Sequence, residues 1–293
     1  MKLLYIFEQK SDDKEEFVAN LSGLVGTYTE RGLGCLGLEW KLLYGTYSNG
    51  SLDREQKHLF NYLYASCPLD VAKNVSKAER RMKELTEKSL IYGEVEYDPF
   101  LEILKKVRPS GERGGIFYDL GSGAGRPVFI ARLTMDFDSC IGIEYLKGLH
   151  DKSSAIKSVY DEEILPILYP DRTKGRVEFY HSKFQDFDWS DGDVCFANST
   201  CFDDALLDQL SDQAEKLKPG SIIITFTKEL TSRQFEILDR KRYQMSWGPA
   251  TVYVHRRLGS EKFVSALPAH MKDRAAHGWS TCSNISSNSS QTL

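Results

Sequence analysis

From Ile116 onward the chain alternates short apolar runs with longer stretches whose apolar residues recur at helical spacing. The runs IFYDL (116–120), SCIGIE (139–144), RVEFYH (176–181), DVCFAN (193–198) and SIIITFT (221–227) predict strands. The stretches between them predict helices over 126–133, 145–168 and 203–217, the last stopped by the turn KPG. Short buried strands alternating with helices imply a mostly parallel sheet covered on both faces. The end of the pattern differs: YQMSWG, a Gly-Pro turn and TVYVHRR predict a β-hairpin, so the sheet closes with antiparallel pairing.

Before Ile116 the pattern is mixed and mainly helical. DREQKHLFNYLYASC starts from an N-cap candidate, Asp53, and VSKAERRMKELTEKSLIYG (75–93) predicts a basic, polar-faced helix closing on Gly93. In YDPFLEILKKV, Asp98 is placed to cap a helix with Pro99 at its first position and Phe100, Ile103, Leu104 and Val107 on one face. RPSGERGG (108–115) reads as a flexible link. The expected organisation is a mainly helical segment over 1–108, an α/β core over 109–258 and a serine- and asparagine-rich, disordered tail over 259–293.

Composition narrows the classes. A chain of 293 residues, 41% hydrophobic and 27% charged, can bury a full core. A net charge of −4 argues against a protein whose main task is gripping bare nucleic acid or anionic membrane. MKLLYIFEQKSDD is too polar for a signal peptide, and no run reaches membrane-spanning length. The six cysteines are scattered, which reads as reduced thiols of cytosol or nucleus, with neither a disulfide framework nor a metal site.

The chemistry concentrates where the first strand of the core ends. DLGSGAGR (119–126) turns through Gly121, Gly123 and Gly125. A phosphate-binding P-loop requires Lys-Ser/Thr after the last glycine, and here Arg126-Pro127 follow. A dinucleotide fingerprint is G-x-G-x-x-G, whereas this turn is G-x-G-x-G with Asp119 directly before it. S-adenosylmethionine (SAM) fits better. Its ammonium suits a strand-end carboxylate, and its carboxylate suits the glycine backbone and the start of a helix. Glu144, closing the second strand, is placed to accept from two ribose hydroxyls, or simply to cap the next helix. Asn198 ends the fourth strand, pointing into the crevice where such sheets bind ligands; its carbonyl can accept from an incoming amine. Asp203 is the better cap for the helix that follows.

YGEVEYD (92–98), DLGSGAGR, Glu144, FAN (196–198) and SW…VYVH (246–255) together resemble the disruptor-of-telomeric-silencing family. These are histone-lysine methyltransferases with a class I SAM-binding fold and no SET domain. The resemblance implies that Tyr92, Gly93 and Glu94 fold over SAM. They would join Asp119, Gly121, Ser122, Gly123, Gly125, Arg126 and Glu144 in the cofactor site. It further implies that Phe184 packs near the adenine and that Asn198 lines a lysine channel. Phe202, Trp247 and Tyr253 are candidate walls of such a channel. Asn198 and Tyr253 are the residues expected at the reacting amine.

Three positions depart from the family pattern. Val95 stands where a threonine is usual, Lys183 stands where an acid precedes Phe184, and Val252-Tyr253 replace two tyrosines. Asp186 is then the candidate acceptor for the adenine amino group. The basic extension is thin: 73–88 holds six Lys or Arg against three Glu, with smaller clusters at 240–242 and 256–257. The expected function is a nuclear, SAM-dependent methyltransferase of a histone lysine on the nucleosome, touching DNA weakly. Alternatives are a non-histone lysine, a nucleic-acid or small-molecule amine as acceptor, a cytoplasmic setting, or a non-catalytic module of the same fold.

Overall fold

The computed structural model describes residues 49–109, 111–168 and 175–259. The disordered tail expected beyond Gly259 and the first 48 residues lie outside the described residues. Among the described residues three helices come first: α1 (Asn49–Leu63), α2 (Leu69–Met82) and α3 (Tyr97–Val107). The core then runs β1 (Ile116–Leu120), α4 (Arg126–Thr134), β2 (Ser139–Glu144), α5 (Lys147–Val159), β3 (Arg176–His181) and β4 (Val194–Ala197). It ends with α6 (Asp204–Ala214), β5 (Ile222–Phe226), β6 (Phe235–Met245) and β7 (Gly248–Arg257).

These strands form one sheet in the order β3-β2-β1-β4-β5-β7-β6. The first five pair in parallel, and β7 runs against both of its neighbours. This is the class I SAM-methyltransferase arrangement, with its antiparallel end supplied by the hairpin. The order reverses between β1 and β4, so their carboxyl ends open a crevice, the usual ligand site of such sheets.

Side chains alternate between the two faces of the sheet. Phe117, Phe196, Ile224 and Phe226 pack in one core with Phe60 and Leu63 of α1, Phe100 and Leu104 of α3, and α4. Tyr118, Leu120, Cys195 and Ile223 face the other way, onto Leu207, Leu210 and Ala214 of α6. The early helices and the sheet therefore share one core.

Several expected boundaries move, each for a local reason. The helix expected over 75–93 is α2: it starts six residues earlier, after Pro68, and stops at Lys83. Glu84 has φ +52, outside the helical region, and only a short 3-10 turn, Lys88–Leu90, follows. The chain from Ile91 to Glu96 is an extended strap. In α3 the N-cap is Glu96, and Asp98 pairs with Lys57 instead at 2.5 Å. Pro99 sits in the first turn, where no amide donor is required. The long helix after β2 begins only at Lys147 and passes after Val159 into a wider turn, Tyr160–Ile164. The hairpin turns at Ser246-Trp247, because Met245 pairs directly with Gly248. Pro249 thus lies inside β7, but beyond the Val252–Arg256 stretch that pairs with β5, so no bond to β5 requires its missing N–H.

His255 ties the second face together. Its Nδ1 lies 3.1 Å from the Ile223 carbonyl oxygen, and its Nε2 accepts from the Leu230 N–H at 3.2 Å. Only the neutral ring with its proton on Nδ1 serves both partners. Burial lowers its pKa to about 4. The unfolded chain binds this proton near pH 6.5 and the folded chain does not. The contribution is therefore complete above pH 6.5 and lost as pH falls towards 4, about 3 kcal/mol in all. Urea midpoints measured from pH 7.5 to 4 should fall accordingly, and His255→Gln should flatten that slope.

Candidate active site

A cavity of about 390 Å³ opens at the carboxyl ends of β1, β2 and β4. The three glycines after β1 all have positive φ, but they do different jobs. Gly121 has φ +90 and lines the cavity; a Cβ there would meet nothing, so its backbone is bare towards the space a ligand would fill. A Cβ on Gly123 would lie 2.2 Å from the Tyr92 ring, and one on Gly125 would lie 2.5 Å from Phe179. Neither Gly123 nor Gly125 reaches the cavity wall. Gly125, with φ +84, lets α4 start directly against β3.

Gly125→Ala should therefore lower Tm by several degrees, since left-handed strain of about 1–2 kcal/mol adds to the collision with Phe179. Gly121→Ala carries the strain without the collision. Its larger effect should appear in SAM affinity, measured by calorimetry.

Glu144 is held from two sides. The Gly123 N–H donates to its Oε2 and the Leu146 N–H to its Oε1, both at 2.7 Å. Glu144 thus braces the turn before α5, whose N-cap is Leu146, and it lines the cavity. Asp119 is 1% exposed, and its Oδ2, like the Ser122 hydroxyl, is buried without a hydrogen-bond partner. Burial, and then the neighbouring Glu144, push the Asp119 carboxyl well above the usual carboxylate range. Burial pushes Glu144 up to about 7 against the backbone N–H groups that favour its charge. Among the described residues neither acid has a Lys or Arg partner. Two buried carboxylates with one orphaned oxygen suit a ligand that brings positive charge and hydroxyls.

The strap closes the cavity from above. Tyr92 donates from its hydroxyl to Glu94 Oε1 at 2.8 Å and accepts from the Ala124 N–H at 3.3 Å. The Glu94 carboxylate lies 2.6 Å from Arg126, whose guanidinium stacks over Tyr64 at 4.4 Å. Burial raises the Glu94 carboxyl, opposed chiefly by Arg126. The Ser246 hydroxyl donates to the Glu94 carbonyl at 2.7 Å and accepts from its N–H at 3.3 Å. Gly93 lies so close to the Trp247 ring that a Cβ would stand 2.9 Å from it. From below, Asn198 Nδ2 donates to the Gly93 carbonyl at 3.4 Å. The strap is thus fixed to the glycine turn, to the end of β4 and to the hairpin.

At the far end Phe184 lies parallel to Phe202, with ring centroids 5.9 Å apart and planes 6° apart. Asp186 is exposed and does not line the cavity, while Gln185, one residue earlier, lines it and donates to Gln209 Oε1 at 3.2 Å. Lys183 stands over the Tyr145 ring at the rim. Tyr253 faces the opposite side of the sheet, stacked on His255 and covered by Arg240, and does not reach the cavity.

The cavity thus brings together Tyr92, Gly93, Glu94, Asp119, Gly121 and Ser122 with Arg126, Glu144, Phe184, Asn198 and Phe202. Sequence reasoning missed Gln185 and Ser246. The Ser-Trp pair in the hairpin was the available signal for Ser246; nothing marked Gln185. The residues fit SAM: Asp119 and Ser122 offer free polar atoms for its ammonium end. Glu144 keeps lone pairs for hydroxyls, and the apolar end takes a flat base.

A model of the family described as histone methylation protein DOT1 matches residues 72–248, more than half of the chain. No curated protein matches the sequence. Among solved structures, the chain is similar to an RNA methyltransferase from Salinibacter ruber in complex with S-adenosyl-L-homocysteine. The identity is 20% and the TM-score 0.40, covering 59% of this chain and 93% of that one. It is also similar to a putative class I SAM-dependent methyltransferase from Listeria monocytogenes, at 11% identity and TM-score 0.43, covering 73% and 70%. Likenesses this distant say nothing of the acceptor.

Proposed function

The chain belongs to the DOT1 histone methylation family and is a SAM-dependent methyltransferase, and from that premise we propose that it methylates a histone lysine presented on the nucleosome, in the nucleus. The observation that carries the reading is the family match over residues 72–248, which spans the strap, the glycine turn and Asn198, three pieces that meet at one cavity.

Bound SAM supplies an electrophilic methyl group on a cationic sulfur. What the protein supplies is charge, alignment and exclusion of water. Asp119 and Glu144 place negative charge under a cationic ligand. The strap, pinned by Arg126, Ser246 and Asn198, roofs the site. Only a neutral amine attacks, and lysine starts near a pKa of ~10.4. An apolar, cation-facing channel lowers that value. Phe202 beside the cavity and Trp247 under Gly93 supply apolar wall, and Asn198 supplies a carbonyl that can orient the amine. Among the described residues no histidine lines the cavity.

Docking to nucleosomal DNA rests on a narrow stripe. Lys73, Lys77 and Arg81 are exposed at four-residue intervals on α2, whereas Lys83 is tied to Glu79 at 2.6 Å and Arg80 is half-buried. The hairpin cluster is partly neutralised, Lys241 by Glu102 and Arg256 by Glu236. Three phosphate contacts give a shallow salt dependence, a log–log slope of about −3. Lys77→Glu with Arg81→Glu should weaken methylation of nucleosomes while sparing SAM binding.

The net charge of −4 favours one second reading, a non-histone acceptor. One comparison separates the two: methyl transfer from labelled SAM to nucleosomes, free histones and extract depleted of histones, at matched concentration. Label on a histone lysine supports the proposal. Label confined to another protein or to a small amine overturns it and leaves the methyltransferase standing.

A further inference from the structure

β5 ends in a strained turn. Thr227, directly after Phe226, has φ +70, a value that is a genuine outlier for a β-branched residue. The Lys228 N–H donates to the Phe226 carbonyl at 2.8 Å, closing a three-residue turn of the rare, strained γ kind. The surroundings over-determine it. The Thr227 N–H donates to the Thr251 carbonyl at 2.6 Å, and the Thr225 hydroxyl donates to the Lys228 carbonyl at 2.7 Å. The Ser199 hydroxyl donates to the Phe226 carbonyl at 2.7 Å and accepts from the Phe226 N–H at 3.1 Å. Backbone strain that persists under such constraint is characteristic of functional positions.

What the turn presents is a hydroxyl. Thr227 donates to Thr200 Oγ1 at 3.3 Å, and Thr200 donates to Asn198 Oδ1 at 2.9 Å. Asn198 Nδ2 then donates to the Gly93 carbonyl. Chemistry sets the direction of this chain. A carbonyl oxygen only accepts, so the amide nitrogen of Asn198 faces Gly93. Thr200 then meets the amide oxygen and must donate to it; having one proton, Thr200 can only accept from Thr227. One lone pair of Oδ1 is taken, and the other is left with a fixed direction.

We propose that Thr200 and Thr227 are positioning residues for methyl transfer: the chain Thr227–Thr200–Asn198 locks the amide flip of Asn198 and aims its free lone pair at the acceptor amine. This rests on the reading of Asn198 and of the acceptor given above.

The test compares Thr200→Val, which keeps the shape and removes the donor, with Thr200→Ser, which keeps the donor. Single-turnover methylation of nucleosomes should fall about thirtyfold in Thr200→Val, with SAM Kd within about twofold of the parent, and recover in Thr200→Ser. Thr227→Gly removes the hydroxyl and relieves the strain, so it should slow transfer about threefold or more without lowering Tm. A second readout needs no cofactor. In the free protein, the Asn198 side-chain amide signals in ¹⁵N NMR, identified by their loss in Asn198→Ser, should shift in Thr200→Val and return in Thr200→Ser. If Thr200→Val transfers methyl at the parental rate while Asn198→Ala is crippled, the positioning role is wrong. If Asn198→Ala is itself fully active, or the parent is inert towards nucleosomes, the acceptor reading fails first and takes this inference with it.

Discussion

Asp119→Asn should make the cofactor-free protein more stable at pH 8 and a weaker binder of SAM. The two effects have one cause. Asp119 is a buried acid with an unpartnered oxygen beside a second buried acid, and its charge costs the folded state stability until a cation arrives. A neutral amide of the same shape removes that cost, so Tm in the absence of ligand rises. It also removes a charge-assisted hydrogen bond to an ammonium, about 1.5–3 kcal/mol, or roughly tenfold to a hundredfold in Kd. An ordinary structural aspartate behaves oppositely, losing stability on substitution.

Glu144 extends the same logic to pH. Its pKa is 4.5 when unfolded and about 7 when folded. The folded form therefore holds a proton that the unfolded chain has lost. Its contribution to stability is fully present below pH 4.5 and disappears as pH rises through 7, about 3 kcal/mol altogether. A cationic ligand favours the charged carboxylate, so SAM should tighten as pH rises from 6 to 8. The thermal shift produced by saturating SAM should be larger at pH 8 than at pH 6.

The second large effect belongs to Asn198. Asn198→Ala should reduce single-turnover methyl transfer by about a hundredfold or more, the scale lost when one pre-positioned polar group is removed from a reacting centre. SAM affinity should change far less, because the amide meets the strap and the acceptor end rather than the two acids. Equal losses in binding and turnover would make Asn198 a strap anchor only.

The parts legible in sequence were those written in a strong local code. Buried strands read as apolar runs, so all five parallel strands were found within a residue or so of their ends. The glycine turn, Glu144 and Asn198 were legible because each sits at a strand end where the fold exposes it. The stretch from Lys83 to Gly93 was misread as helix because Lys83–Leu90 is polar and lacks a strong breaker; α2 ends at Met82, and Glu84 has a positive φ. Most of β6 was missed because Arg240, Lys241, Arg242 and Gln244 are exposed on an edge strand, so its pattern carries no apolar alternation. Asp186 was chosen for its charge, yet the short turn at Phe184 carries it outward and Gln185 inward. Tyr253 was placed by family position, but strand alternation puts it on the face opposite Val252 and Val254. The chain Thr227–Thr200–Asn198 joins three loops distant in sequence, and no spacing rule reveals it.

The central claim is that two buried acids at the ends of β1 and β2 hold SAM. Calorimetric titration of the intact protein with SAM at pH 7, in two buffers of different ionisation enthalpy, tests it most directly. One SAM per chain should bind with net release of protons, NAD should be silent, and the proton release should shrink in Glu144→Gln. Binding of NAD without SAM, or SAM binding that releases no proton and ignores Glu144→Gln, would contradict the account.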